Sequence, residues 1–519
     1  MSDRDALVFT NGSIATFDPT RPRAGALRLE RGIVTHVADG PEGLTGQRVD
    51  LEGGVLLPGL SDAHLHLAGI GARERELDLS GTESLAEAVE RVRAAMAQRP
   101  DAELLVGRGW DHNLWPGGEL PTADALDRAA PGRVVRLTRV DGHASWVSRA
   151  ALTRAGIGST TPAPRGGEIV RDAAGNPSGV LVDAAMDAVE ALLPAPSRAE
   201  LEAQLRAGLA AVARVGLTSV HDMGTTPRML EILSELARTG ELPVRVFAYL
   251  WAPLPDVDAA LDARVDTGLL RVAGVKLFAD GALGSHGALL SCPYCDRPSS
   301  SGLALTEPEE LCQVARQVHE RGQAVAIHAI GDLAVRRALD AIAFARGAEG
   351  VRRHRVEHAQ IVAPADLPRF AALGAVASVQ PTHATSDASF AEARLGAERL
   401  GWAYRARSFV ESGALLAFGS DSPIEHENPW RGVAAAVGRK SRTGEPFLAT
   451  EALDVEQALD GFIQGPRRAL GEPPIRLVPG ASPDLCLVDR DPLQTPPDEL
   501  ARIRARGTWV QGATAAGRR

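Results

Sequence analysis

His64 and His66 stand two residues apart in "SDAHLHLAG", directly after the apolar run "GGVLLPGL". On a strand that spacing turns both imidazoles to one face. Neutral imidazole is a ligand for zinc and related divalent cations, although two histidines so spaced also serve as ordinary structural residues. Four further residues suit the same chemistry, each at the end of a short apolar run: Lys276 in "GVKLFAD", His328 in "QAVAIHAIGD", His358 in "HRVEHAQ" and Asp421 in "LLAFGSDSP".

Lys276 is the unusual member, because an ammonium repels cations and is costly to bury among apolar neighbours. The chain otherwise avoids lysine: of its 56 basic residues, only Lys276 and Lys440 are not arginine. A lysine amine can be desolvated and deprotonated, whereas a guanidinium effectively cannot. An uncharged amine can capture carbon dioxide as a carbamate, a carboxylate-like anion able to bridge two metals. The plainer alternative is an ion pair between Lys276 and nearby Asp280.

These residues need elements to hold them together. Eight short apolar runs end in polar residues: "VLLPGLSDAHLH", "LTSVHDMG", "VRVFAYL", "GVKLFADG", "QAVAIHAIGD", "HRVEHAQ", "AVASVQP" and "LLAFGSDSP". Helical patterns such as "PSRAELEAQLRAGLAAVARVG" alternate with them, which predicts parallel βα units, and eight of these is the (β/α)8 count. Active sites of such barrels lie at the C-terminal strand ends, where the six residues fall. The expected fold class is therefore α/β, a TIM-like barrel over 57–70 and 190–474. Strand-like segments at both ends predict a small β-sandwich from 1–56 and 475–519. The stretch 71–189 is too long for a βα connection and reads as an inserted α/β subdomain.

Bulk properties narrow the function classes. A formal net charge of -10 over 519 residues argues against a nucleic-acid partner. The first residues lack a secretory signal and no stretch is apolar enough to span a bilayer, so the expectation is a cytoplasmic protein with a small-molecule substrate and no membrane partner. Four scattered cysteines do not make a disulfide framework. Cys292 and Cys295 form "CPYC", but the Pro/Ser/Gly-rich surroundings read as a loop rather than a redox motif.

The order HxH, Lys, His, His, Asp across runs one, four, five, six and eight resembles the amidohydrolase superfamily of metal-dependent hydrolases. The stretches "GRGWDHNLWPGG", "VDGHASWVSRAAL", "VKLFADGALGSHGALL", "HAIGD", "HRVEHAQ", "VQPTH" and "GSDSP" are similar to the branch that contains N-substituted formamide deformylases. This resemblance implies two zinc ions per chain. His64, His66 and Asp421 would bind one, His328 and His358 the other, with Lys276 bridging them as a carbamate formed from carbon dioxide. It implies hydrolysis of an amide-type C–N bond, in an N-acyl or N-formyl amine, by a metal-activated hydroxide with Asp421 as proton shuttle. Two departures, His286 where the branch usually has Arg and His112 where Gln is expected, bear on substrate identity.

Other residues fill secondary roles in this reading. His383 in "QPTH" is expected to act in catalysis by holding substrate or stabilising an oxyanion. His143 in "DGHASW", His221 in "SVHDMG", His286 and Trp110 are candidate substrate contacts, while His319 and His354 read as structural. Trp110, Trp115 and Trp146 either wall a pocket or core the insertion. Gly281, Gly284 and Gly287 are expected to let the loop backbone approach substrate. A lactonase, cyclic-amide hydrolase or deaminase could use the same site, and a non-catalytic ligand-binding barrel would be expected to have lost some of the six residues. A homodimer is expected only by fold analogy.

Overall fold

Eight parallel strands form one sheet whose two edges nearly meet, and their residue ranges follow the eight apolar runs. They are β1 (Leu60–Leu65), β2 (Leu217–Thr225), β3 (Arg245–Trp251), β4 (Leu270–Phe278), β5 (Ala324–Ala329), β6 (Arg355–His358), β7 (Val376–Val379) and β8 (Leu415–Phe418), each bonded to the next in chain order. A parallel bridge between Leu65 and Ser422 brings the β8 end back to β1. The computed structural model describes residues 6–73, 75–251, 262, 265–347 and 353–517.

Sequence-local signals set the helices around this barrel. Helix α1 (Arg198–Arg214) starts at Ser197, whose side chain accepts from the Glu200 N–H while Glu200 reaches back to the Ser197 N–H. Helix α2 (Pro227–Thr239) begins with proline behind a Thr226 cap and stops at Gly240, which takes the left-handed conformation at φ 73°. Helix α3 (Pro308–Glu320) precedes β5 and α4 (Asp332–Arg346) follows it. The apolar faces of all four join the barrel strands in the largest buried cluster.

The first run divides where a single strand was expected. Val55–Pro58 belongs to a different sheet, and the chain breaks at Gly59 before β1 begins. A Cβ on Gly59 would lie 2.1 Å from Thr218 Oγ1, so the turn needs glycine on space alone. Val55–Pro58 pairs antiparallel with Leu485–Val488 and parallel with Ser13–Ala15, within a six-stranded sheet that also contains Arg23–Ala24, Ala505–Val510 and Ala513–Gly517. A four-stranded sheet of Ala6–Thr10, Ala26–Glu30, Ile33–Ala38 and Gln47–Asp50 packs against it across Phe9, Leu27, Leu56, Leu485 and Trp509.

Between β1 and β2 lies a mixed six-stranded sheet in the order Gly167–Arg171, Pro177–Asp183, Ala144–Val147, Val134–Arg139, Leu104–Trp110 and Leu77–Asp78. Trp110, Trp115 and Trp146 are buried together in its core. Among the described residues, no helix is long and apolar enough to cross a membrane. The "CPYC" segment is a loop with both thiols free and exposed.

Candidate metal centre

The strand ends converge on one carboxylate. Asp421 Oδ1 lies 3.2 Å from His66 Nε2 and 3.4 Å from His64 Nε2, and its Oδ2 lies 3.7 Å from His383 Nε2. Two groups of donor atoms, His64–His66–Asp421 and His358–His383–Asp421, each fall within 4.8 Å of one another. The rings of His64 and His358 are 4.8 Å apart and those of His328 and His358 4.6 Å apart.

The backbone is bent to achieve this. His66 lies just past β1, and Asp222 Oδ1 accepts the Leu67 N–H at 2.8 Å to start the short helix that follows. His358 and Asp421 adopt φ of 68° and 57°, a region that costs a non-glycine residue of order 1–3 kcal/mol. The Asp421 N–H donates to the His64 carbonyl at 2.6 Å and the His66 N–H to the Ser422 carbonyl at 2.8 Å. Asp62 Oδ1 accepts from the N–H groups of both His64 and Ser420, at 2.9 and 3.1 Å, so β1 and β8 are sewn together at the site.

Protonation states suit a cation. Burial, with Lys276 nearby, holds the His64 imidazolium down to about 4. Burial and neighbouring imidazoles hold His328 and His358 well below the ordinary histidine value. Burial favours neutral Asp421, yet His64 and His66 keep its carboxyl well below the usual carboxylate range. Neutral imidazoles around an ionised carboxylate form a donor set for a divalent metal, and the buried His383 Nε2 has no hydrogen-bond partner among the described residues. These residues fit a metal.

Lys276 is 1% exposed on β4, its Nζ 4.9 Å from the centre of the Phe278 ring. Burial pushes its ammonium down to about 8. The alternative pairing with Asp280 does not form. Asp280 instead accepts the backbone N–H groups of Leu289, Ile330 and Gly331. His328 points its Nε2 toward the Gly281 carbonyl and Asp280 Oδ1, at 3.4 and 3.5 Å, and lies outside both donor groups. His383, expected to hold substrate, stands where His328 was expected.

A cavity of about 750 Å3 opens over these residues. His143 lines it, with Trp251, Phe278, Leu305 and Met186 forming an apolar wall. Three expected substrate contacts do not reach it. Trp110 is fully buried in the insertion and donates from Nε1 to the Leu137 carbonyl at 2.8 Å. His221 lies inside the barrel with Nδ1 2.7 Å from Arg355 Nη1. His286 turns to Asp296 and Tyr294. His112 is buried beside Arg139, and His319 meets His354 at 2.9 Å in a buried pair.

The loop glycines make room for side chains of the insertion. A Cβ on Gly281 or Gly287 would lie 2.1 or 2.6 Å from Asp183 Oδ2, and one on Gly284 2.6 Å from Arg139 Nη1. The loop after β4 is thus shaped to receive charged side chains from the insertion.

Several residues missed in the sequence support the centre. Glu357 Oε2 lies 2.7 Å from His64 Nδ1, and Gln380 Oε1 lies 2.7 Å from His358 Nδ1. Arg355 donates to both Glu357 oxygens, to the Ala63 carbonyl and to Ser378 Oγ. Arg355 and Glu357 are two apart on β6, the spacing that puts both inside the barrel. Their opposite charges two apart in the buried strand "RVEH" were the available signal.

Residues 47–516 match the model of the amidohydrolase family. The chain belongs to the amidohydrolase family. Within that family it is 33% identical to the putative amidohydrolase YtcJ of Bacillus subtilis, over 90% of each chain. It is 26% identical to the N-substituted formamide deformylase of Arthrobacter pascens, over 99% of this chain and 98% of that one. Among solved structures, an uncharacterized metal-dependent hydrolase from Pyrococcus horikoshii superposes with a TM-score of 0.76 at 31% identity, covering 95% of this chain and 99% of that one. The α/β barrel fold expected from the sequence is therefore shared with that hydrolase over nearly the whole of both chains.

Proposed function

We propose that this amidohydrolase-family chain is a metal-dependent hydrolase of an amide-type C–N bond, in an N-acyl or N-formyl amine. The observation that carries the reading is the convergence of two histidine groups on the single carboxylate of Asp421 at the floor of a cavity. The metal-dependent hydrolase and the formamide deformylase among its relatives support the metal and the bond type respectively.

His64, His66 and Asp421 would hold one divalent ion, zinc in the first instance, and His358 with His383 or His328 a second. Bound there, such ions supply Lewis acidity that polarises a carbonyl and makes water more acidic. Asp421 would take the proton of the attacking water and deliver it to the leaving nitrogen. His143, at the cavity wall, is placed to bind the acyl oxygen. Lys276 fits the bridging role as a carbamate: its neutral amine adds to carbon dioxide, a C–N bond forms, and one proton leaves to solvent.

The test is elemental analysis of protein prepared with bicarbonate, followed by a panel of N-formyl and N-acyl amines scored for released amine. Bound metal together with amine release supports the reading. No metal uptake and no hydrolysis across the panel would overturn it.

A further inference from the structure

The two donor groups share Asp421 but differ in what stands behind them. Behind His64 is the carboxylate of Glu357, and behind His358 is the carboxamide of Gln380, each at 2.7 Å from Nδ1. In both rings an Nδ1–H donated outward leaves the Nε2 lone pair for the cavity. The Gln380 Nε2 is buried without a partner among the described residues, so the amide acts on His358 as an acceptor alone.

Charge separates the two cases. Glu357 is completely buried, and Arg355 donates to both its oxygens, the two-pronged contact a guanidinium makes with a carboxylate. A hydrogen bond to an ionised acceptor is about twice as strong as a neutral one, and a carboxylate behind an imidazole makes the far nitrogen a better metal donor. Arg355 offsets part of that charge, but the contact to His64 is still made by a carboxylate oxygen. On the other side a neutral amide does the same task more weakly.

Resting on the metal reading above, we infer that the two metal positions are unequal by construction. The position at His64 and His66 binds a divalent cation more tightly than the one at His358 and His383. Glu357 and Gln380 are the positioning residues that set the difference. The tight position fills first and survives dilution, and the weak one empties.

The experiment titrates chelator-stripped full-length protein with cobalt(II), against a competing chromophoric chelator, and follows melting temperature at each addition. The wild type should fill in two steps separated by about tenfold or more. Glu357→Gln should weaken the first step by about 10- to 100-fold, with a smaller cobalt-induced rise in melting temperature. Gln380→Glu should strengthen the second step and draw the two together. The double variant Arg355→Met/Glu357→Gln avoids an orphaned buried guanidinium and should repeat the loss at the first step. Two equal steps in the wild type, or a Glu357→Gln change confined to the second step, would overturn the inference and leave the metal reading standing. No cobalt uptake in the wild type would overturn both.

Discussion

Asp183 Oδ1 lies 2.5 Å from His143 Nδ1, joining two residues of the inserted segment at the wall of the barrel's cavity. The pair holds the imidazole ring 5.0 Å from that of His328. The insertion is thus part of the cavity and not an appendage to it.

This contact makes stability depend on pH. Burial disfavours the His143 imidazolium, but the Asp183 carboxylate outweighs it and raises the group from 6.5 to about 9. A group raised on folding contributes fully below its unfolded value and loses that contribution as pH rises through the folded one. The urea midpoint should therefore fall between pH 6.5 and about 9, and Asp183→Asn should flatten that slope. An unchanged slope in the variant would reject the pair as its source.

Gly281→Ala places a methyl group 2.1 Å from Asp183 Oδ2, a separation real atoms do not tolerate. The loop or Asp183 must move, and His143 with it. We expect kcat/KM to fall by about 10- to 100-fold, in keeping with the cost of a displacement near 1 Å. Steady-state kinetics matching the wild type would show that the loop has slack.

Asp421→Asn keeps the shape of the residue at the centre of both donor groups but removes the carboxylate proposed to accept the proton. Turnover should drop by about 10²- to 10⁴-fold while the circular dichroism spectrum stays native. A variant with normal turnover would eliminate Asp421 as the shuttle.

Lys276→Met replaces a fully buried amine with an apolar chain of similar length. Metal retention through dialysis should improve with added bicarbonate in the wild type and be low and bicarbonate-independent in the variant. Equal retention by the two proteins would remove the carbamate from the account.

Trp110→Phe leaves the Leu137 carbonyl without its donor in the insertion core. The cost should be about 1–3 kcal/mol, seen as a lower melting temperature. KM should not move, because the ring lies outside the cavity; a selective rise in KM at unchanged stability would return Trp110 to the substrate site.

What could be read in advance follows from distance along the chain. Each barrel strand announces itself through a local apolar run, so all eight were legible, and the error at "VLLPGLSDAHLH" arose because two consecutive strands of different sheets share one apolar run. The gathering of His64, His66, His358 and Asp421 at the strand ends was legible for the same reason. The partners of those residues were not. Glu357 stands behind His64 and Asp183 beneath Gly281 through contacts between remote segments. His383 and His328 have the same chemistry, and it is the helix Pro381–Ser386 after β7 that brings His383 to Asp421. Trp110 could wall a cavity or fill a core by composition alone, and packing of the insertion decided it.

The antiparallel pairing of Val55–Pro58 with Leu485–Val488 has a consequence for biosynthesis. A ribosome releases the first of these strands long before the second exists. Through most of translation its apolar edge has no antiparallel neighbour, and His64, a few residues on, waits for Asp421. The cluster around Asp421 is therefore completed late in synthesis, and a nascent chain stalled before residue 421 cannot have assembled it.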